Sequence, residues 1–211
     1  RKMYLSAPLP FVGQKRMLAK EFMKVLEQYP DGTLFVDLFG GSGLLSHITK
    51  SLKPHSTVIY NDFDNYRFRM KHIPQTNQLL ADIREMVGNS VPRHKIIKGE
   101  LRERIFSRIE QEENSTGYVD FITLSSSILF SMKYKLSVQD MRKEALYNNI
   151  RKTGYPECTD YLEGLEIVSC DYKEVFNRYK DIPGVVFLVD PPYLSTDCLL
   201  YTSPSPRDRT R

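Results

Sequence analysis

The sequence predicts an α/β fold, a parallel sheet interrupted by a helical insert, and three observations support this. A β-rich run, a glycine-rich turn and a helical pattern follow one another between residues 33 and 48. Five consecutive apolar residues at 185–189, ahead of Asp190, are typical of a strand covered on both faces. Between them, residues 67–149 are polar, with apolar residues at helical spacing.

Length and composition limit the possibilities. The 211 residues are 41% hydrophobic, enough for one sizeable core or one domain with an inserted sub-domain. We find no apolar run of membrane-spanning length and no signal peptide. Because 30 Lys+Arg and 26 Asp+Glu leave a net charge of only +4, affinity for a polyanion requires local clustering. The three cysteines lack metal-ligand spacing and suit a reducing cytoplasm, so we expect neither zinc nor a disulfide.

The first helix is predicted from about Lys15 to Gln28. Apolar residues recur there every three to four positions, after the rigid segment Phe11-Val12-Gly13-Gln14-Lys15. Lys15 and Arg16 would lie at the positive end of the helix dipole, where cations are unfavourable. A carboxylate-bearing ligand would explain these cations, and a solvated pair of charges is the open alternative.

A nucleotide-binding unit follows this helix. The strand Thr33 to Val36 ends at Asp37 and leads into the glycine turn Phe39-Gly40-Gly41-Ser42-Gly43 and a helix. A second strand, Thr57 to Tyr60, ends in Asn61-Asp62, about where a ribose-binding carboxylate belongs. Strand, turn, helix, strand and acid in this order predict a ligand of the nucleoside type, because the glycines let a ligand touch the backbone.

The insert is predicted to be helical, because it shows no convincing strand alternation, with a hairpin-like loop near residues 147–155. One helix surrounds Ile83 to Val87, a second runs from Ile97 to Glu112, and a third from Val119 to Tyr134. Most of its basic residues fit solvated helix faces. The segment 147–155 differs, because it mixes amides, cations and aromatic rings around a glycine, a composition suited to base edges and phosphates.

The chain then returns to the sheet. Leu165 to Val168 is predicted to be a strand that ends near Asp171. Asp171 fits the N-cap position of a following helix. The last strand must stop at Asp190 because two prolines follow, and these leave carbonyl oxygens at the sheet's carboxyl edge. A carboxylate, a fixed carbonyl and the ring of Tyr193 could grip a flat ring that carries an amino group.

Together these motifs resemble a known family. Phe39 to Gly43 fits Phe-x-Gly-x-Gly, Asp190-Pro191-Pro192-Tyr193 is similar to the amine-binding turn of amino-methylating enzymes, and Phe11 to Lys15 resembles an amino-terminal cofactor element with Gln14 replacing a glycine. All three, in this order, resemble the D12 class of adenine-specific DNA methyltransferases, the Dam-like α group. The resemblance implies a Rossmann-like S-adenosylmethionine-dependent methyltransferase sheet, incomplete here, with an inserted helical target-recognition sub-domain. The expected units are residues 1–66 and 156–196 for the catalytic sheet and 67–155 for the insert.

The resemblance also implies roles for individual residues. The expected S-adenosylmethionine ligands are Phe11, Lys15, Asp37, Phe39, Gly41, Gly43, Asp62 and Asp171. The expected catalytic residues are Asp190, Pro191, Pro192 and Tyr193, and the expected DNA contacts are Asn148, Asn149, Arg151 and Lys152. The expected partner is double-stranded DNA with a flipped adenine. We expect a metal-free monomer in the cytoplasm, bacterial or phage-encoded, at the nucleoid when bound to DNA.

The tail differs in character from the rest. Residues 197–211 can be back-translated into a transposon-type sequencing adapter, so we hypothesise that the natural reading frame was cut just after residues 193–196. Three alternatives stay open: methylation of the cytosine amine, methylation of RNA or protein, and an inactive truncated fragment that only binds cofactor or DNA. Restriction, phage protection and chromosome marking are all open as roles.

Overall fold

The central element is a parallel sheet. The computed structural model describes residues 2–13, 18–131 and 133–191. Within them, four parallel strands lie in the order β5-β2-β1-β6. The strands are β1 (Phe35–Asp37), β2 (Val58–Asn61), β5 (Glu166–Val168) and β6 (Val186–Leu188). The predicted α/β fold with a parallel sheet is confirmed.

Helices cover both faces of this sheet. Phe35 and Val58 pack with residues of α1 (Ala19–Leu26) and α2 (Leu44–Leu52) on one face. Val36 and Ile59, the next residue of each strand, pack with Val175 of α8 (Tyr172–Tyr179) on the other. Because successive side chains of a strand point to opposite faces, β1 and β2 are buried on both sides, as the sequence predicted.

The last strand is less buried than predicted. Leu188 is 7% exposed, but Val189 is 60% exposed, so the prediction that residues 185–189 are buried on both faces was wrong. The reason is position, because β6 pairs only with β1 and is an edge strand in the described part of the chain.

The insert is helical, with one small ribbon. Its helices are α3 (Tyr66–Lys71), α4 (Ile73–Val87), α5 (Gly99–Thr116), α6 (Phe121–Ile128) and α7 (Val138–Met141). The expectation of no strand was wrong, since β3 (Ile96–Ile97) pairs antiparallel with β4 (Leu146–Tyr147). Ile97, the predicted start of a helix, lies in this ribbon, and α6 ends early because Leu129 adopts an extended backbone. No helix of the described residues is long and apolar enough to cross a membrane.

Residues 2–13, the N-terminal strap, join the sheet to the insert. The backbone N–H of Tyr4 donates to Nε2 of His47 in α2 at 2.9 Å, and its hydroxyl donates to Asp160 at 2.7 Å. The hydroxyl of Tyr66 accepts from the N–H of Leu9 at 2.9 Å and donates to its carbonyl at 3.2 Å. These contacts place the strap beside the carboxyl edge of the sheet.

Candidate active site

The carboxyl ends of the parallel strands bring the predicted acidic residues to one edge. Asp37 ends β1, and Asp62, Asp171 and Asp190 follow β2, β5 and β6 by one to three residues. β1 lies between β2 and β6, so the chain leaves it toward one side and returns on the other. Ligands of open α/β sheets bind at such a switch point, in the crevice outside the strand ends.

The glycine turn after β1 has the backbone that only glycine adopts easily. Gly41 and Gly43 have φ angles of 50° and 73°, in the left-handed region. A β-carbon on Gly41 would lie 3.1 Å from the ring of Phe11, and one on Gly43 would lie 3.1 Å from the side chain of Leu162. The structure therefore brings Phe11 of the strap against the turn, as expected of two residues of one site.

Packing requires a glycine at position 40, although the sequence motif leaves this position variable. A β-carbon on Gly40 would overlap the ring of Tyr60 and lie 2.7 Å from the carbonyl oxygen of Asn61. Both neighbours are buried in β2. The turn therefore packs directly on the backbone of the next strand.

Asp37 is buried at the edge with half of its carboxylate unpaired. The hydroxyl of Ser46 donates to Oδ2 at 2.7 Å, whereas Oδ1 has no hydrogen-bond partner among the described residues. Burial raises the pKa of Asp37 to about 7; the bond from Ser46 opposes this, and repulsion by Asp190 adds to it. An unpaired buried acceptor is costly, so a ligand with an N–H group would be favoured at Oδ1.

Asp62 is held firmly in place after β2. It accepts hydrogen bonds from the N–H groups of Tyr66 at 2.6 Å and Arg67 at 3.0 Å, and the hydroxyl of Tyr60 lies 3.1 Å from Oδ1. The side chain thus caps the start of α3, although a carboxylate can accept about four hydrogen bonds. Burial raises the pKa of the half-buried Asp64 nearby, and repulsion by Asp62 adds to that. No sequence motif includes Asp64.

Asn61 and Asp171 organise the strand ends. The side-chain amide of Asn61 donates to the carbonyls of Leu38 at 3.0 Å and Cys170 at 2.9 Å, and its oxygen accepts from the N–H of Cys170 at 3.1 Å. Asp171 accepts from the N–H of Lys173 at 2.8 Å and is the N-cap of α8. The capping alternative for Asp171 is confirmed, and its contact with a cofactor stays a prediction.

An aromatic pair stands at the same edge. The rings of Phe39, in the glycine turn, and Tyr172, after β5, lie 4.8 Å apart between centroids. This contact joins the segment after β1 to the segment after β5. The side chain of Phe39 therefore packs against another residue of the protein. Its contact with the cofactor stays a prediction.

The predicted amine-binding turn begins after β6. The N–H of Leu38 donates to the carbonyl of Leu188 at 3.2 Å, which ties the start of the glycine turn to β6. Asp190 is half-buried and Pro191 is exposed. Three predicted site residues, Lys15, Pro192 and Tyr193, lie outside the described residues, as does the tail 197–211.

The predicted DNA contacts lie in the insert, and no described hydrogen bond joins them to the strand ends. The amide of Asn148 donates to the carbonyl of Val91 at 2.8 Å, and that of Asn149 to the carbonyl of Leu129 at 2.9 Å. Both amides therefore support the backbone. Arg151 and Lys152 are exposed, and the DNA-binding role of all four stays a prediction.

Comparison with known proteins agrees with this arrangement. The model of the D12 class N6 adenine-specific DNA methyltransferase family matches residues 11–203. A protein of Haemophilus influenzae named "Putative methyltransferase" is 40% identical over 200 residues, which is 93% of this chain and 67% of that protein.

Proposed function

The chain belongs to the D12 class of N6 adenine-specific DNA methyltransferases, and on that premise we propose that it transfers the methyl group of S-adenosylmethionine to the exocyclic amine of adenine in double-stranded DNA. One observation carries the proposal. Asp37 with its glycine turn and Asp190 with Pro191 stand at the ends of neighbouring strands, on the two sides of the switch point. A cofactor pocket and an amine-binding turn would therefore adjoin.

The residues fit S-adenosylmethionine. The unpaired Oδ1 of Asp37 suits its ammonium group, and the left-handed backbone of Gly41 and Gly43 turns the chain at the strand edge where a ligand would bind. Asp62 has acceptor capacity left for the ribose, and we propose that Lys15 binds the methionine carboxylate. We also keep Phe11, Phe39 and Asp171 as cofactor contacts. The cofactor supplies a methyl group on a positively charged sulfur.

The chain's own task is to make a poor nucleophile reactive. The lone pair of the adenine amine is delocalised into the ring. Asp190 and the carbonyl of Pro191 would accept hydrogen bonds from its two N–H groups, favouring a pyramidal nitrogen whose lone pair points at the methyl group. When the nitrogen takes the methyl group from sulfur, it would release one of its two protons to Asp190 or to water. Pro192 would keep the turn rigid, and the ring of Tyr193 would stack on the base. Aligning amine and methyl group supplies much of the remaining rate gain.

The amine is inaccessible inside a duplex, so the adenine must leave the helix. Unstacking costs about a few kcal/mol, which stacking in the pocket and contacts to the DNA backbone offset. A chromosomal DNA substrate would place this activity in the cytoplasm, at the nucleoid.

The first test is the identity of the product. The purified chain is incubated with isotope-labelled S-adenosylmethionine and mixed duplex DNA and RNA, and nucleosides from the digest are separated by mass spectrometry. We expect label in N6-methyldeoxyadenosine. Label in N4-methyldeoxycytidine or in RNA would replace the proposal with the corresponding alternative, and binding of cofactor without any product would identify an inactive fragment.

The second test is Asp190→Asn. We expect kcat to fall on the order of 10²- to 10³-fold, as when one polar group aimed at the reacting atoms is lost, while the Kd for S-adenosylmethionine stays within threefold. The matched control is Asp181→Asn, which changes an exposed carboxyl ahead of β6 and should leave both constants unchanged. Full activity of Asp190→Asn would remove Asp190 from the mechanism.

A further inference from the structure

His47 is a buried polar side chain that takes no part in the proposed reaction. It is fully enclosed by the protein and lies in α2, where its backbone N–H donates to the carbonyl of Gly43 at 2.8 Å. A buried imidazole costs free energy unless its nitrogens find hydrogen-bond partners in place of water. The partners of His47 therefore show what this side chain holds together.

The partners fix the tautomer of His47. Nδ1 lies 2.7 Å from the carbonyl oxygen of Tyr161, and the backbone N–H of Tyr4 donates to Nε2 at 2.9 Å. A carbonyl oxygen can only accept and a backbone N–H can only donate, so Nδ1 carries the proton and Nε2 presents its lone pair. With both bonds formed, His47 is uncharged and has one tautomer.

Ring contacts join the same three residues, Tyr4, His47 and Tyr161, which we call the aromatic latch. The rings of His47 and Tyr161 stack, with centroids 4.7 Å apart and planes 14° from parallel. The ring of Tyr4 meets both of them edge-on, at 5.3 and 5.8 Å between centroids. The hydrogen bonds and the ring contacts therefore support one geometry.

The latch joins three segments that are distant in sequence. Tyr4 belongs to the strap, His47 to α2, and Tyr161 to residues 158–164, the exit segment, which leads from the insert to β5. A second bond joins strap and exit segment directly, because the hydroxyl of Tyr4 donates to Asp160 at 2.7 Å. Since His47 bonds to both segments, it fixes them relative to α2.

The strap and the exit segment both touch the glycine turn. The hydroxyl of Tyr161 donates to the carbonyl of Ser42 at 3.1 Å, and a β-carbon on Gly43 would lie 3.1 Å from the side chain of Leu162. From the strap, the ring of Phe11 packs against the same turn. A shift of either segment would therefore move a neighbour of the turn.

We propose that His47 is a positioning residue for the cofactor. As the Nδ1–H tautomer it holds the strap and the exit segment against the glycine turn, and it thereby sets the affinity for S-adenosylmethionine. It acts through Tyr4 and Tyr161 rather than by touching the reacting atoms. The inference rests on the proposed function in taking S-adenosylmethionine as the ligand of the turn.

Three substitutions separate the two bonds of His47. In His47→Asn the amide nitrogen takes the place of Nδ1 and can donate to Tyr161, but nothing accepts from Tyr4. In His47→Gln the amide oxygen takes the place of Nε2 and can accept from Tyr4, but nothing donates to Tyr161. His47→Leu keeps much of the bulk of the side chain and removes both bonds.

The matched control is Thr49→Val, at another fully buried polar position of α2. The hydroxyl of Thr49 donates to the carbonyl of Leu45 at 2.8 Å, so the lost bond lies within the helix. This variant reports the effect of a weakened α2 without a change at the strap or the exit segment.

The affinity of the full chain for S-adenosylmethionine is measured by calorimetry, at a temperature where urea unfolding shows every variant to be folded. We expect His47→Leu to raise the Kd about tenfold, and the two amide variants about threefold each, as for the loss of two bonds or of one. The Kd of Thr49→Val should stay within about twofold of the wild type. At saturating cofactor, kcat should stay within about twofold in all variants, because other residues align the reacting atoms.

Hydrogen exchange tests the latch without the cofactor. Peptides from the strap should exchange faster in His47→Leu and His47→Asn, which lose the acceptor for the N–H of Tyr4, than in the wild type or His47→Gln. A general loss of stability would instead speed exchange in α2 as well. Nitrogen-15 NMR of the wild-type imidazole should show a protonated Nδ1 and an unprotonated Nε2.

An unchanged Kd in His47→Leu would overturn the proposal, and so would an equal rise in Thr49→Val. A fall in kcat at saturating cofactor would give His47 a role in the reaction itself, and a proton on Nε2 would remove the bond to the strap; either result would overturn the proposal. If His47→Leu does not fold, the two amide variants and the NMR measurement decide.

Failure of the latch and failure of the proposed function are separable. Cofactor binding with the same Kd in the wild type and all His47 variants would overturn the latch alone. A wild type that binds no S-adenosylmethionine would overturn the proposed function and the cofactor's part in the inference, and strap exchange would then decide whether His47 holds the strap. Label in a nucleoside other than N6-methyldeoxyadenosine would overturn the adenine assignment alone.

Discussion

Asp37 and Asp190 stand at the ends of neighbouring parallel strands, close enough that the charge of Asp190 adds to the effect of burial on Asp37, whose pKa rises to about 7. The protonation of a buried group at the centre of the site thus changes near neutral pH, and the stability of the protein depends on it.

The first prediction is that Asp37 makes a contribution to stability that is lost as the pH rises from about 4 to about 7. The folded state keeps a proton on Asp37 until a pH near 7, whereas the unfolded chain releases it near 3.8, the ordinary pKa of an aspartic acid. Between those values the folded state binds more protons, so the unfolding free energy falls by up to about 1.4 kcal/mol per pH unit. Urea unfolding of the wild type and Asp37→Asn between pH 4 and 8 measures this. Identical pH slopes would contradict it, and Asp181→Asn is the control.

The second prediction concerns Gly40. Gly40→Ala should cost about 1–3 kcal/mol of stability, because its β-carbon meets the ring of Tyr60 and the backbone of Asn61. Displacement of the turn should also weaken binding of S-adenosylmethionine. Thermal unfolding and calorimetric titration test both effects, with Ser42→Ala in the same turn as the control. A stable Gly40→Ala variant with normal cofactor affinity would show that the turn can accommodate a β-carbon at this position.

The third prediction is that Tyr60 positions the turn. Its hydroxyl lies 2.8 Å from the carbonyl oxygen of Gly41 and 3.1 Å from Oδ1 of Asp62, and so joins two parts of the proposed cofactor pocket. Tyr60→Phe removes this link, worth about 1 kcal/mol, and should raise the Kd for the cofactor roughly fivefold with kcat unchanged. Tyr29→Phe, in a ring that packs on Phe35, is the control. A fall in kcat at unchanged Kd would contradict a purely positioning role.

The fourth prediction concerns the ion pair of Arg69 and Asp120, whose side chains are 8% and 1% exposed and whose nearest atoms lie 3.1 Å apart. Arg69 also donates to the carbonyl of Pro10 at 2.7 Å and so joins strap, α3 and α6. Arg69→Met leaves a buried carboxylate and should cost about 3–5 kcal/mol. In urea unfolding, adding Asp120→Asn to Arg69→Met should restore part of the lost stability. The control Arg67→Met, at an exposed neighbouring position, should have a negligible effect. No recovery would mean that lost packing dominates.

The sequence predicted features whose causes are local. A strand that ends in an acid and a glycine turn is specified by neighbouring residues, so β1, β2 and the positive φ angles of Gly41 and Gly43 were within reach of pattern analysis. The longer helices of the insert, α4, α5 and α6, were found for the same reason, since helical periodicity spans a few turns, whereas the short helices α3 and α7 were not predicted.

What the sequence did not predict depends on residues far apart in the chain. Gly40 is constrained by Tyr60 of the next strand, and the amide of Asn61 acts on Leu38 and Cys170. The ribbon of β3 and β4 has two residues in each strand, too few for an alternating pattern. A local sequence pattern does not show which distant residue will lie nearby in the fold. Each of these features depends on contact with such a residue.

The strap has a consequence for the order in which the protein forms. Tyr4 is joined to His47 and also to Asp160, which lies 156 residues further along the chain. Synthesis proceeds from the amino terminus, so the strap leaves the ribosome before its partners, and most of the described chain must follow before Asp160 emerges. Closing so long a loop comes late in folding. The strap is thus made before its partners but is among the last segments to be fixed, and with it Phe11, whose ring packs against the glycine turn.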